Sequence, residues 1–304
     1  MALALRNVAD AGQRGGKRVP TSNGATILGA GAILLWSTLA TLTVGTGTIP
    51  PFQTTAVAFA VGGAVVALAA ALRGRAGLMR PTWASLALGI YGLFGYHALY
   101  FAALKLAPPA EAHLLASLWA LLIVLLSGLL PGARLQRIHV LAALMGLAAA
   151  TLLVWGRLGT GTPGSSAHVG FLLALGCALV WSSYSVASRL FAEVPSESVA
   201  VACILTAVLA FACSRLFETW VTPDGAIAWL ALIGLGVGPT GAAFLLWDIG
   251  MKRGDVSLLG VLSYASPVLS TLLLVVLGFA APSWTLALAC SLIVIAGVIA
   301  TRAD

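Results

Sequence analysis

Apolar residues fall into ten long blocks, roughly 17 to 26 residues each, separated by short breaks rich in Arg, Lys, Gly or Pro. The blocks run Thr26 to Val44, Phe52 to Leu72, Trp83 to Leu104, Glu111 to Leu130, Ile138 to Trp155, His168 to Phe191, Ser196 to Leu216, Ala226 to Met251, Asp255 to Leu277 and Ser283 to Thr301. Each can cross about 30 Å of hydrocarbon as a helix that satisfies its own backbone N–H and C=O groups. The pattern therefore predicts an all-α integral membrane protein with ten transmembrane helices, in which any solute site lies between helices.

A repeat organises the ten. Leu35-Trp36-Ser37 in the first span returns as Val180-Trp181-Ser182 in the sixth, 145 positions on. Gly95 to Tyr100 aligns with Ala242 to Trp247, Lys105 with Lys252, and Trp119-Ala120 with Ser266-Pro267, all at an offset of 147. A five-helix unit used twice enters the membrane upside down the second time, because five crossings is odd. Such inverted repeats place a site near the midplane where the halves meet. The predicted organisation is a cytoplasmic tail over 1–25, a first five-helix unit over 26–155, a Gly/Ser/Thr/Pro-rich linker over 156–167 and a second unit over 168–304.

Composition agrees with the class: 60% of residues are apolar and 8% charged, too few polar groups to cover a water-soluble shell around so large a core. The net charge of +7 reports topology. With the N-terminus inside, Arg6, Arg14, Lys17, Arg18, Arg73, Arg75, Arg80, Arg134, Arg137, Arg189, Lys252, Arg253 and Arg302 fall on the inner side, and only Lys105, Arg157 and Arg215 fall outside. Basic short loops resist translocation, so both termini are expected in the cytoplasm. The N-terminal tail lacks a signal-peptide pattern. The basic residues are scattered among loops with no aromatic platform, which argues against a nucleic-acid partner.

Cys177, Cys203, Cys213 and Cys290 all sit in apolar runs without a CxxC or a histidine at ligand spacing, and read as small packed hydrophobes. No metal, cofactor or obligate protein partner is implied. No H-E-x-x-H, nucleophile elbow, P-loop or paired catalytic carboxylates occur, which argues against an enzyme. No filter motif or ring of charge suggests a channel.

Pro239 and Pro267 lie inside predicted spans, and each frees a carbonyl one turn earlier. The eighth span adds Gly234, Gly236, Gly238 and Gly241, and the third adds Gly89, Gly92 and Gly95; such small faces let helices approach closely. Trp83, Trp155, Trp220, Trp229 and Trp284 stand at run ends, as an interfacial belt would. Glu111 reads either as a guard of an outer mouth or as a favourable charge at a helix N-terminus. Asp248 and Lys252 read as an i, i+4 pair near the inner interface.

Leu-Trp-Ser-Thr at 35–38, the run from Glu111 ending in Ser-Leu-Trp-Ala, Leu246-Trp247-Asp248-Ile249-Gly250, and Leu262 to Ser270 resemble the EamA-type branch of the drug/metabolite transporter superfamily. Within it the chain is similar to YddG-type exporters of aromatic and other amino acids. Two positions depart from that pattern: Ala120 stands where proline is usual, and Asp248 where asparagine is. The resemblance implies a multi-pass protein of a bacterial inner membrane that carries small amino-acid solutes out by alternating access; the alternative is an exporter of other metabolites or drugs within the same superfamily, or a channel-like pore.

A solute of that kind needs apolar or aromatic walls for its ring and a few polar groups for its ends. The candidate substrate-binding residues are Trp36, Ser37 and Thr41 in the first span; Tyr96, His97 and Tyr100 in the third; and Ser117 and Trp119 in the fourth. In the second half they are Trp181, Ser182, Tyr184 and Ser185 in the sixth span, Trp247 in the eighth, and Ser263, Tyr264, Ser266 and Pro267 in the ninth. His97 reads either as a hydrogen-bonded core residue or as a proton carrier. The hydroxyls read either as back-bonded to helix carbonyls or as ligands.

Overall fold

The computed structural model describes residues 23–119, 121–122, 126, 137–158, 165–188, 191, 193–253, 259 and 262–301. Every regular element among them is helical. Among the described residues, six helical runs are long and apolar enough to cross a membrane: Asn23–Gly45, Pro51–Leu72, Trp83–Leu106, Ser166–Ser188, Ser196–Phe217 and Gly225–Gly250. The predicted fourth and ninth spans lie partly outside the described residues, as do the predicted N-terminal tail, Arg134 and most of the linker.

Several spans are built from two pieces. The first comprises α1 (Asn23–Ser37) and α2 (Leu39–Gly45), joined at Thr38, whose hydroxyl donates to Leu35 O at 2.7 Å. The second is α3 (Pro51–Leu72), opened by a proline at its N-terminus where no N–H is missed. The third runs through α4 (Trp83–Ile90), a π-helical turn over Tyr91–Gly95, and α5 (Tyr96–Leu106). The Thr82 hydroxyl caps α4 by accepting from Ser85 N. On the fourth span lies α6 (Pro109–Ala116), after which the chain makes a turn at Ser117 and Leu118.

The predicted fifth span holds α7 (Arg137–Leu158), the predicted sixth α8 (Ser165–Ser188) and the predicted seventh α9 (Val199–Phe217). The eighth repeats the form of the third: α10 (Gly225–Val237), a π-helical turn over Gly238–Ala242, then α11 (Ala243–Arg253). On the predicted ninth and tenth spans lie α12 (Ala265–Val276) and α13 (Trp284–Thr301).

Four pairs dominate the helix contacts: α3 with α9, α1 with α11, α5 with α8, and α7 with α13. The first pair is fastened at both ends. Glu218, just past α9, accepts from Phe52 N at 2.8 Å and Gln53 N at 2.9 Å at the start of α3. This places a carboxylate at a helix N-terminus, where the backbone dipoles favour it. At the other end Arg75, after α3, pairs with Glu197 before α9 at 3.0 Å.

The π-turn over Gly238–Ala242 meets α3 at very short range. Pro239 has no N–H, so Leu235 O loses its usual helical partner. The Thr240 hydroxyl takes its place, lying 2.9 Å from Leu235 O and 3.1 Å from Ala58 O on α3. Thr240→Val removes that donor without changing shape much, leaving a buried carbonyl unpaired. We expect a loss of about 1–3 kcal/mol, read as a lower unfolding midpoint in detergent, with Thr240→Ser close to wild type.

Trp83 and Trp284, 87% and 91% exposed, open α4 and α13, where belt residues belong; the side chain of Trp155 lies outside the described residues. All four cysteines are free thiols in helices, and Cys177, Cys203 and Cys290 are buried.

Candidate functional site

Between the two halves lies a cavity of about 650 Å³ of atom-free space, its mouth included. Its wall comes from α1 and α2 (Ile33, Trp36, Leu39), α5 (Tyr96, His97), the fourth span (His113, Ser117, Trp119), α8 (Trp181), α11 (Phe244) and the ninth span (Ser263, Tyr264, Ser266, Pro267). Its lining, mostly apolar and aromatic with a few polar groups, is of the kind that holds a small organic ligand.

Trp181 is the hub of the wall. Its ring centroid lies 5.1 Å from Tyr96, 5.9 Å from Phe244, 6.3 Å from Trp36 and 6.4 Å from Trp119, with an edge-on approach to both tryptophans. Behind the wall Tyr184 supports Trp181 at 5.2 Å, and Trp247 supports Trp36 at 5.2 Å. The Trp36 indole N–H donates to Pro239 O at 3.1 Å, so a kinked carbonyl fixes the ring's orientation. The result is a cage of aromatic edges and faces, which favours an aromatic guest through offset and edge-on ring contacts.

The polar groups are few. His97 Nδ1 bonds Leu93 O at 2.9 Å, and His113 Nδ1 bonds the Tyr100 hydroxyl at 2.8 Å. Ser117 donates to His113 O and Ser263 to Leu259 O, each at 2.8 Å, one turn back along its own helix. Each of these hydroxyls keeps acceptor capacity toward the cavity. Pro267 has no N–H to return to Ser263 O.

Of the residues expected from sequence to bind substrate, Trp36, Tyr96, His97, Ser117, Trp119, Trp181, Ser263, Tyr264, Ser266 and Pro267 line the cavity. Ser37, Thr41, Tyr100, Ser182, Tyr184, Ser185 and Trp247 do not. Ser37 and Ser182 are buried and back-bonded to Ile33 O and Leu179 O. Tyr100 is fully buried, and its hydroxyl is hydrogen-bonded to His113 Nδ1.

His113, Phe244, Ile33 and Leu39 line the cavity without having been expected. A signal existed for each. His113 precedes Ser117 by one turn; Ile33 and Leu39 flank Trp36 at i−3 and i+3; and Phe244 is the repeat counterpart of His97. Those last two rings are in contact across the site, 6.0 Å apart.

Glu111 occupies the first turn of α6 and is 9% exposed, which fits the helix N-terminus reading better than a mouth. Asp248 lies on α11. The side chain of its expected partner Lys252 falls outside the described residues.

Comparison with known proteins gives this geometry its context. The chain is 58% identical over 279 residues to the aromatic amino acid exporter YddG of Ancylobacter novellus, covering 91% of this chain and 96% of that one. It is 25% identical over 270 residues to the aromatic amino acid exporter YddG of Salmonella typhimurium, covering 83% and 88%. A solved crystal structure of a protein 57% identical superposes with a TM-score of 0.73 over 92% of this chain and 98% of that one. The sequence pattern of the EamA-like transporter family matches residues 23–155 and 168–302. An apolar helical bundle closed around a ring-lined cavity, matched over nearly all of its length, thus belongs to the EamA-like transporter family.

Proposed function

We propose that the protein exports aromatic amino acids, and other neutral ones less strongly, across a bacterial inner membrane by alternating access, without chemical change to the solute. The observation that carries the reading is the aromatic cage around Trp181, which offers ring contacts on several sides and polar groups at few points. A relative with 58% identity that bears the name of an aromatic amino acid exporter supports the same reading.

The architecture that goes with it is ten spans in two inverted five-helix units, 26–155 and 168–304, with both termini in the cytoplasm. Three features support the inverted repeat. The pairing of the first span with the eighth becomes that of the sixth with the third when the halves are exchanged, and the second–seventh and fifth–tenth pairings map onto themselves. The two π-turns, Tyr91–Gly95 and Gly238–Ala242, stand 147 positions apart, the offset seen in the sequence. Repeat-related rings, Trp36 with Trp181 and His97 with Phe244, meet at the cavity, as partners about a two-fold axis do.

The test is counterflow in proteoliposomes. Vesicles loaded with unlabelled phenylalanine should transiently accumulate labelled phenylalanine above equilibrium, chemically unchanged. Equilibration without overshoot points to a pore, and a modified product to an enzyme; either result contradicts the proposal.

A further inference from the structure

The two histidines of the cavity are held in complementary ways, and the difference has a chemical consequence. His97 Nδ1 faces the carbonyl of Leu93, which can only accept, so in a neutral ring the proton sits on Nδ1. His97 Nε2 is then a lone pair. His113 Nδ1 faces the Tyr100 hydroxyl instead, and Tyr100 is fully buried with no other hydrogen-bond partner for that hydroxyl among the described residues. A phenolic O–H is a stronger donor than an imidazole N–H, and an imidazole nitrogen is a stronger acceptor than a phenolic oxygen. The arrangement Tyr100 O–H···Nδ1 wins, because the reverse would strand the phenolic proton in the core. His113 Nε2 therefore carries the hydrogen. Among the described residues that atom is buried without a partner, although the residue lines the cavity.

A buried N–H with nothing to bond costs free energy until something binds it. We propose that His113 donates its Nε2–H to the carboxylate of the bound amino acid, locked in that tautomer by Tyr100, while His97 presents its Nε2 lone pair to the ammonium end. The cavity would thus read a zwitterion with two neutral imidazoles of opposite polarity. The protein itself need bury no charged side chain to do so, which avoids the cost of an unpaired ion in the empty site. This inference rests on the amino-acid reading above and goes beyond it by naming the group that recognises the carboxylate.

The test separates reach from structure. Asparagine at 113 places its amide oxygen where Nδ1 stands and so keeps an acceptor for Tyr100, with nothing at the Nε2 position. Glutamine places an amide N–H near Nε2. Affinity of the purified protein for labelled L-phenylalanine, and for competing phenethylamine, which lacks the carboxylate, is measured for wild type, His113→Asn and His113→Gln. Loss of a hydrogen bond to a charged group predicts a fall of roughly tenfold to a hundredfold in phenylalanine affinity for His113→Asn. Phenethylamine should bind that variant as it binds wild type, and His113→Gln should keep most of the preference for phenylalanine.

A purely structural role for His113 gives the opposite order, with asparagine tolerated and glutamine not. That order, equal weakening of both ligands in His113→Asn, or no change in either, overturns the proposal. Failure of the wild-type protein to bind phenylalanine at all overturns the amino-acid reading beneath it, and is told apart because it needs no variant.

Discussion

Trp181→Ala is expected to reduce phenylalanine transport roughly ten- to a hundredfold while leucine transport falls about threefold or less. Trp181 touches Trp36, Tyr96, Trp119, Tyr184 and Phe244, more rings than any other residue of the wall. Removing it takes away one face offered to an aromatic guest and loosens the four rings that would offer the others. Edge-on and offset contacts contribute about 0.5–1.5 kcal/mol each beyond area burial, and leucine draws on none of them. Initial rates in proteoliposomes, normalised to folded protein by size-exclusion profile, check the result. Equal losses for leucine and phenylalanine would make Trp181 a packing residue only.

The second large effect lies away from the cavity, where α3 crosses the π-turn of the eighth span. A Cβ at Gly62 would stand 2.6 Å from Thr240 O and 2.9 Å from Thr240 C, and one at Gly241 would stand 3.0 Å from Gly62 Cα. Those neighbours are backbone atoms and cannot swing aside, so Gly62→Ala must push the two helices apart. The displacement would also strain the Thr240 bonds to Leu235 O and Ala58 O and, through Pro239, the carbonyl that orients Trp36. Overpacking of this kind costs about 1–3 kcal/mol or more. We expect Gly62→Ala to lower the unfolding midpoint by several degrees and to slow transport severely. Gly77→Ala, where a Cβ meets open space, should behave as wild type in both assays.

Much of this architecture is legible in the sequence because its physical causes are periodic. A bilayer demands apolar runs of fixed length, and a duplicated unit leaves an offset that a recurring Trp-Ser dipeptide reveals. The same dipeptide misleads at the level of single side chains. Adjacent residues on a helix point about 100° apart, and where Trp36 and Trp181 face the cavity, Ser37 and Ser182 turn away and bond helix carbonyls. Likewise Ser37 and Thr41 share a helical face on paper, but the joint at Thr38 separates them into different helices.

Proline was the sequence signal for broken helices, and it accounts for only part of what occurs. The fourth span turns at Ser117 and Leu118 without the proline found at the corresponding site in the ninth. There the Leu118 N–H bonds Leu115 O and the Ser117 hydroxyl bonds His113 O, a local solution that composition does not announce. His113 itself was hidden by its neighbour: an acid at 111 draws attention to charge, whereas the histidine two residues on is the group that reaches the cavity. Its role depends on Tyr100, thirteen positions away on another helix, and no local pattern encodes that contact.

During transport an aromatic amino acid is expected to sit inside the cage between Trp36, Tyr96, Trp119, Trp181 and Phe244. Anomalous scattering from crystals soaked in 4-iodo-L-phenylalanine tests it most directly, since iodine marks the ring without reference to any assumed pose. The account predicts one iodine peak inside the cavity, displaced by excess L-phenylalanine and absent from Trp181→Ala crystals. A displaceable peak elsewhere in the bundle, with the cavity empty and transport of the iodo compound intact, would contradict it.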